Sequence, residues 1–290
     1  MPELPEVETI ARDLAATIVG AQVKLVWGSG LPLHLKRAVD LAGLRRMAVG
    51  RRVRRVRRKG KYLLIDLEAS GGGARPVVAP GLLVHLGMSG RLRVEARTTP
   101  RARHTHVAFG FGDGRELRFV DPRRFGWVTA GAPVDERSEL RALGPDPLTE
   151  LDEAELSRRL LGVRAPIKAF LLDQTRVAGL GNIYVSEALH RARIHPGAAA
   201  GSLTAKVEAL LAGIRAALEL AIRNRGTTLR DYVDASGTVG SNAASLRVYG
   251  REGRPCPICG APVRRRVDAG RSTFFCGECQ RLRRRRSESA

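Results

Sequence analysis

The spacing of apolar residues divides the chain into a strand-rich first half and a helical second half. Helical spacing near the start predicts a helix over 5–19, with Pro5 suited to its first turn and Gly20 ending it. The apolar residues of this helix are Val7, Ile10, Ala11, Leu14 and Ile18. From 21 to 130 short apolar runs alternate with turns that contain Gly, Pro or Asp, which predicts a sandwich or barrel. The clearest predicted strands cover 62–67, 82–86, 106–111 and 117–120.

A Gly-Pro-Asp-Pro-Leu stretch at 144–148 predicts a linker, and the pattern beyond it is helical. The predicted helices cover 151–161, 166–174, 182–193 and 202–224. Residues 235–245 are small and polar, and we expect a mobile loop there. The fold class predicted from these patterns is α+β with two domains.

The net charge of the chain indicates which class of molecule it binds. The chain has 290 residues, with 50 Lys and Arg against 29 Asp and Glu, a net charge of +21. Such an excess favours a polyanion, nucleic acid before membrane, although an Arg-rich proteome with generally basic surfaces would give the same charge. No apolar run is long enough for a membrane span, and acidic residues replace the basic start of a signal peptide. We therefore expect a cytoplasmic protein with no membrane partner.

All four cysteines lie near the end of the chain, as two Cys-x2-Cys pairs separated by 16 residues. They are Cys256, Cys259, Cys276 and Cys279. This spacing predicts one structural zinc ion held by four thiolates, which leave no open position for a catalytic water. Arginines inside the module would be carried on a hairpin against phosphates. His104 and His106 lack an evident third ligand, so we predict no metal site there.

The first residues allow a different kind of chemistry. Removal of Met1 would expose the secondary amine of Pro2, and an α-amino group of pKa about 8 is partly unprotonated at neutral pH. Addition of that amine to an anomeric carbon yields an iminium ion, and the carboxylates of Glu3 and Glu6 could move the protons that base loss requires. The alternative is helix capping, which the early acids and Pro5 also fit. Taken alone, the segment favours capping.

Five sequence blocks carry a family resemblance. They are PELPEVE at 2–8, KGKYLL at 59–64, HLGMSG at 85–90, DPRRFG at 121–126 and GLGNIY at 179–184. Together with the cysteine module, in this order, they make the chain similar to the bacterial formamidopyrimidine-DNA glycosylases, which excise oxidised purines. The match spans nearly the whole chain.

The resemblance implies a two-domain architecture. An N-terminal β-sandwich with flanking helices would carry catalysis, and a C-terminal helix–two-turn–helix domain would end in a four-cysteine zinc finger. The implied segments are 1–143 for the catalytic domain, 144–150 for the linker, 151–246 for the helical domain, 247–282 for the zinc finger and 283–290 for a basic tail. From Arg281 onward we expect disorder.

The resemblance also implies the catalytic residues. Pro2 would be the Schiff-base nucleophile, Glu3 the proton donor at the sugar, and Glu6 a support of the lesion pocket. Lys61 would serve β-elimination, and Arg271 in the zinc hairpin would contact phosphate and serve δ-elimination. From the sequence alone Lys61 is also explained as a solvated charge, because eight of residues 51–61 are cationic.

The implied DNA contacts fall into two groups. A base inside a duplex cannot reach an N-terminal amine, so the nucleotide must be extruded and the gap filled. Met88, Arg123 and Phe125 would fill it, although Met88 is also explained by ordinary core packing. The other positions that match family residues near DNA or the lesion are His85, His104, Arg164, Lys168, Asn182 and Tyr249. Asn182 starts a predicted helix, where backbone N–H groups attract phosphate.

The function implied is a bifunctional glycosylase and abasic-site lyase of base excision repair. Its partner would be double-stranded DNA with oxidised bases or abasic sites, and we expect a monomer at the nucleoid. Three rivals remain: an endonuclease VIII-like enzyme for oxidised pyrimidines, a noncatalytic zinc-dependent sensor of damaged DNA, and an RNA-binding protein. The opening motif argues against the last. Residues 235–245 match the family's lesion-capping loop poorly.

Overall fold

The structure is a computed structural model that describes residues 2–34, 38–69, 80–131, 133–229 and 232–282. The predicted basic tail, 283–290, lies outside these residues. The chain divides into two compact units. The first comprises Met1–Ala142 and Ala221–Ala243, and the second comprises Leu143–Leu220 and Ala244–Ala290.

The first unit contains three helices and eight strands among its described residues. The helices are α1 (Leu4–Ile18), α2 (Leu41–Ala48) and α3 (Ser138–Arg141), with a 3-10 turn at Val134–Glu136. The strands are β1 (Val23–Gly28), β2 (Arg51–Lys59), β3 (Tyr62–Ala69), β4 (Gly81–His85), β5 (Arg91–Ala96), β6 (Thr105–Phe111), β7 (Arg115–Val120) and β8 (Trp127–Gly131). The predicted helix at 5–19 and the four predicted strands are confirmed to within two residues at each end.

The eight strands form two antiparallel four-stranded sheets, in the orders β1-β6-β7-β5 and β2-β3-β4-β8. Apolar side chains from both sheets share one core with the buried face of α1. Burial of these Leu, Val, Ile and Phe side chains is the main source of stability in such a sandwich. Helix α1 also packs on β2, which brings the start of the chain against the sheet.

The second unit is helical and ends in a hairpin. Its elements are α4 (Glu153–Leu160), α5 (Ile167–Leu172), α6 (Asn182–Arg191), α7 (Val207–Arg223), 3-10 turns at Ala200–Lys206 and Asn242–Ser245, and the strands β9 (Val263–Asp268) and β10 (Arg271–Cys276). The last residues of α7 and the start of the second 3-10 turn belong to the first unit. The α+β fold class is confirmed.

One helix prediction needs correction. The apolar pattern predicts a single helix over 202–224, whereas the chain runs as a 3-10 turn through Ala200–Lys206 before α7 begins. Gly201, Ser202 and Thr204 explain the difference, because each has low helix propensity and the two hydroxyls compete for backbone hydrogen bonds. None of the helices within the described residues is long and apolar enough to cross a membrane.

Candidate active site

The start of α1 buries the residues that the sequence singles out. Pro2 is buried, and Glu3 is 3% exposed and occupies the N-cap. Glu3 and Glu6 form a capping box, in which each side chain accepts a hydrogen bond from the other's backbone N–H. The capping interpretation is therefore correct as structure. It also holds two carboxylates beside the residue that would carry the amine.

Glu6 joins this terminus to a distant turn. One carboxylate oxygen accepts the backbone N–H of Glu3 at 2.8 Å, and the other accepts that of Thr227 at 2.7 Å. The side chain is 2% exposed, so fixed N–H groups take the place of water around its carboxyl group. Thr227 could not be predicted as a partner, because a backbone donor 221 residues away leaves no side-chain pattern.

Lys61 lies in the turn between β2 and β3 and is 8% exposed. The interpretation of Lys61 as one more solvated charge is therefore wrong. Its turn is held near α1 by Arg58, whose guanidinium donates to Glu8 at 2.8 Å. Burial raises the pKa of Glu8, but the hydrogen bonds and charges of Arg58 and Arg12 outweigh it and leave the pKa below its ordinary value.

His85, at the end of β4, is an uncharged member of the predicted DNA-binding set. Burial, with smaller contributions from the charges of Lys61 and His34, lowers its pKa to about 4. Its ring stacks on Trp127 at 6.0 Å between centroids and contacts Tyr62 at 5.0 Å. At neutral pH His85 therefore offers a neutral hydrogen-bonding ring and no positive charge for a phosphate.

Met88 and Phe125 project from neighbouring turns of the first unit. They are 40% and 44% exposed, so the core-packing alternative for Met88 is wrong. The guanidinium of Arg123 lies 4.9 Å from the centre of the Phe125 ring. Backbone packs on backbone between the two turns, since a Cβ on Gly87 (φ +61°) would stand 2.5 Å from the nitrogen of Gly126.

The carboxylate of Asp121 fixes both turns. It accepts hydrogen bonds from the Ser89 hydroxyl at 2.6 Å and from the backbone N–H of Arg123 and Gly126 at 3.2 and 2.8 Å. Its backbone carbonyl accepts from His106 Nε2 at 3.0 Å. Since Asp121 is fully buried, these donors set the separation of the exposed Met88 and Phe125 side chains.

His104 and His106, the two histidines considered as a metal pair, lie in different environments. His106 is buried, and its two ring nitrogens contact the Ser29 hydroxyl at 3.2 Å and the carbonyl of Asp121. His104 is exposed, with a left-handed backbone at φ +71°. Within the described residues, the only cluster of three or more possible metal ligands is the four cysteines.

In the second unit, Lys168 and Asn182 contact the zinc hairpin. Lys168 is 3% exposed, and its Nζ donates to the Thr273 hydroxyl at 2.6 Å and to the Ser272 carbonyl at 3.1 Å. The Asn182 amide donates to the same carbonyl at 2.9 Å. Burial lowers the pKa of Lys168 to about 8. Both side chains thus position β10, whose first residue is the exposed Arg271.

Tyr249 and Arg164 occupy contrasting places in the second unit. Tyr249 packs edge-on against Phe274 at 5.0 Å, and its backbone N–H is held by the buried Glu187 at 3.0 Å. Arg164 is exposed and lines an open cavity with a volume of about 750 Å³. Three other arginines line this cavity: Arg158, Arg159 and Arg176.

The four cysteines form a metal-binding cluster. Their sulfurs all lie within 4.8 Å of one another, with Cys256 to Cys279 at 3.9 Å and Cys259 to Cys276 at 3.4 Å. Sulfurs around a tetrahedral zinc ion, with Zn–S bonds of about 2.3 Å, would be about 3.8 Å apart, so the donor set fits zinc. A small apolar cluster of Val248, Val263, Cys256 and Cys276 packs beneath the hairpin, and a metal ion bound to the four sulfurs would add to its stability.

Three family profiles match the chain in succession. The N-terminal domain of formamidopyrimidine-DNA glycosylase matches residues 1–128, and the H2TH domain of the same enzyme matches residues 143–233. A zinc finger found in formamidopyrimidine-DNA glycosylase and isoleucyl-tRNA synthetase matches residues 253–282. The zinc finger and the cysteine geometry together establish one structural zinc site.

Individual relatives match over almost their whole length. The formamidopyrimidine-DNA glycosylase of Pelotomaculum thermopropionicum is 42% identical, over 98% of this chain and 100% of the relative. Two Lactococcus lactis Fpg structures, one of a mutant with Fapy-dG-containing DNA and one with DNA containing an abasic site, superpose with TM-scores of 0.85 and 0.84. Each is 32% identical and covers 97% of this chain and 100% of the solved chain. The chain therefore belongs to the formamidopyrimidine-DNA glycosylase family.

Proposed function

We propose that this protein removes oxidised purines, 8-oxoguanine and formamidopyrimidines, from double-stranded DNA and then cleaves the strand at the resulting sugar. The observation that carries the proposal is the buried carboxylate pair beside Pro2. Glu3 and Glu6 are 3% and 2% exposed, and their mutual hydrogen bonds fix the first turn of α1. A nucleophile placed there has acid groups in fixed positions around it.

The chemistry follows from the amine. After loss of Met1, the Pro2 nitrogen forms a bond to C1′ as the C1′–N bond to the base breaks, and the base leaves with a proton. Glu3 supplies the proton at the sugar that opens the ring, which gives an iminium ion. The iminium withdraws electrons, so loss of a C2′ proton expels the 3′ phosphate (β-elimination), and a further proton loss expels the 5′ phosphate (δ-elimination). We assign these later steps to Lys61 and Arg271.

Binding requires the nucleotide to leave the duplex. Met88 and Phe125 are exposed at adjacent turns, and apolar side chains in such positions can occupy the gap left by an extruded base. Arg123, held over the Phe125 ring, would hydrogen-bond the unpaired partner base. The exposed His104, Arg164 and Arg271 would contact phosphates. Lys168 and Asn182 would support these contacts by positioning β10.

The test is reductive trapping. Borohydride reduces an iminium, so wild-type protein with a verified Pro2 terminus should become covalently attached to a duplex that holds 8-oxoguanine opposite cytosine. A Pro2→Gly variant should lose most of the adduct, whereas a variant at the exposed Glu153 should retain it. Absence of an adduct with the wild type would refute the mechanism and favour a noncatalytic sensor. The mass of the purified protein shows whether Met1 has been removed.

The same assay separates the base classes. Preference for thymine glycol opposite adenine over 8-oxoguanine opposite cytosine would identify an endonuclease VIII-like enzyme instead. Tight binding to RNA without any adduct would identify an RNA-binding protein. We further propose that the protein acts as a monomer in the cytoplasm, at the nucleoid; light scattering of the zinc-loaded protein tests the monomer.

A further inference from the structure

His190 is a fully buried histidine that faces the zinc site. It lies in the last turn of α6 and is 0% exposed. Its Nε2 atom stands 3.3 Å from the sulfur of Cys256. Its Nδ1 atom is also buried and has no hydrogen-bond partner within the described part of the chain. The ring therefore directs one nitrogen at a metal ligand and surrounds the other with apolar groups.

The direction of this hydrogen bond follows from the chemistry of both partners. A neutral imidazole ring carries one proton, on either of its two nitrogens. A proton on Nδ1 would be a buried donor without an acceptor, which is costly, so the proton of His190 lies on Nε2. A cysteine that binds zinc is a thiolate and has no proton to donate. The ring therefore donates, and the Cys256 sulfur accepts.

Two other side chains fasten the zinc module to α6 and to the residues that follow it. The carboxylate of Glu187 accepts the backbone N–H groups of 247–249 at 2.9–3.0 Å. Gln280 is 1% exposed, and its amide nitrogen donates to the carbonyl of Ile194 at 2.8 Å. Its amide oxygen accepts the backbone N–H of Cys276 at 2.9 Å. These contacts hold the module beside the helix, so the histidine ring and the sulfur keep their separation.

A hydrogen bond to a metal-bound sulfur strengthens the binding of the metal. Four thiolates around one divalent zinc ion leave an excess of negative charge, and an N–H group directed at a sulfur reduces it. The hydrogen bond also fixes the direction in which the ligand points. Both His190 and Cys256 are buried, so water cannot replace the ring as a donor. Loss of the ring N–H should therefore make the metal easier to remove.

We propose that His190 is a positioning residue of the zinc site, whose Nε2–H donates a hydrogen bond to the metal-bound sulfur of Cys256 and slows the release of zinc. This contact joins the helical part of the second unit to the zinc module through a metal ligand. The role is independent of the reaction proposed above, because it concerns retention of the metal and not the damaged nucleotide.

The first test measures zinc release. Zinc-loaded, full-length protein is mixed with an excess of a chromogenic chelator, and metal transfer is followed by absorbance. His190→Phe keeps an aromatic ring but removes the donor, and it should release zinc about tenfold faster than wild type. The control is His195→Phe, because the His195 ring packs edge-on against Phe275 at 5.0 Å and a phenyl ring keeps that contact. Its rate should stay within about twofold of wild type. An unchanged rate in His190→Phe, or an equal acceleration in both variants, overturns the proposal.

Two spectroscopic measurements separate the hydrogen bond from packing. Cobalt(II) bound in place of zinc gives a sulfur-to-metal charge-transfer band, and a hydrogen bond that stabilises the sulfur electrons raises its energy. The band should move to longer wavelength in His190→Phe; faster release with an unmoved band would indicate packing alone and overturn the proposal. In the zinc-loaded wild type, nuclear magnetic resonance of the His190 ring should place its proton on Nε2. A proton on Nδ1 alone would leave Nε2 free to bind the metal itself, and that result overturns the proposal even if no variant folds.

Discussion

Replacing Glu187 with alanine should release the chain segment that precedes the zinc module. Glu187 lies on α6, is 1% exposed, and its carboxylate accepts three consecutive backbone N–H groups. These belong to Arg247, Val248 and Tyr249, at 2.9–3.0 Å. It also pairs with Arg191 at 2.7 Å. One side chain thus satisfies four donors.

The size of the effect follows from those donors. A buried N–H group that loses its acceptor costs about 1–3 kcal/mol, so the three N–H groups together would cost about 3–9 kcal/mol. Among these three hydrogen bonds only that of the Val248 N–H is fully buried, and the lower half of this range therefore applies. Loss of a carboxylate next to the nearly buried Arg191 adds to this. Without the Arg191 contribution the expected loss is about 3–6 kcal/mol of local stability, which corresponds to roughly a hundredfold or greater increase in opening. Glu187→Gln keeps an acceptor oxygen and should cost about half as much.

Native-state hydrogen exchange of the 247–249 amides in the zinc-loaded protein measures this opening. Tryptophan fluorescence would miss it, because both tryptophans, Trp27 and Trp127, lie in the first unit. Glu219→Ala, an exposed acid on α7, is the matched control and should leave exchange unchanged. An increase of less than about fivefold in Glu187→Ala would refute the reasoning, because it would mean that water replaces the carboxylate at little cost.

Three further predictions follow from exposure, metal binding and protonation. Alanine at Met88 or Phe125 should change the free energy of unfolding by less than about 0.5 kcal/mol in thermal melts, yet slow single-turnover base removal more than about tenfold. Cys276→Ser should abolish stoichiometric zinc in metal analysis and weaken DNA binding in fluorescence anisotropy. His85 has a folded pKa of about 4 against an ordinary 6.5, so the unfolded chain binds more protons between these values. Stability should therefore fall as the pH is lowered through that window, and the urea midpoint followed by Trp127 fluorescence should fall less in His85→Gln.

Local patterns made the helices and the metal site predictable. The apolar period of α1 lies within fifteen consecutive residues, and its buried side chains match the predicted face. The zinc site depends on two short cysteine pairs whose spacing alone implies a tetrahedral cluster. Strands β3 and β6 were predictable for the same reason, because most of their residues are apolar and adjacent in the sequence.

Strand β2 could not be predicted from the spacing of its apolar residues. Its sequence is Arg-Arg-Val-Arg-Arg-Val-Arg-Arg-Lys, which indicates a solvated cationic tract rather than a sheet strand. Both valines are nevertheless buried, although their spacing of three does not fit the alternation of a regular strand. The pairing with β3 shifts between Val53 and Arg55, and such a bulge returns Val56 to the core face. The spacing of three between the valines identifies a bulge only once the pairing with β3 is known.

The hydrogen bonds of the buried carboxylates could not be predicted from the sequence for a more general reason. Glu6, Asp121, Glu187 and Asp234 are all buried carboxylates, and each accepts backbone N–H groups. Backbone donors are present at every non-proline residue, so the partner of such a carboxylate leaves no mark in the sequence. An acid that is bound in this way costs little to bury, because several N–H dipoles replace the water it loses. Glu6 and Glu187 accept N–H groups from residues 221 and 60–62 positions away, so each of these two acids joins distant segments that only the fold reveals.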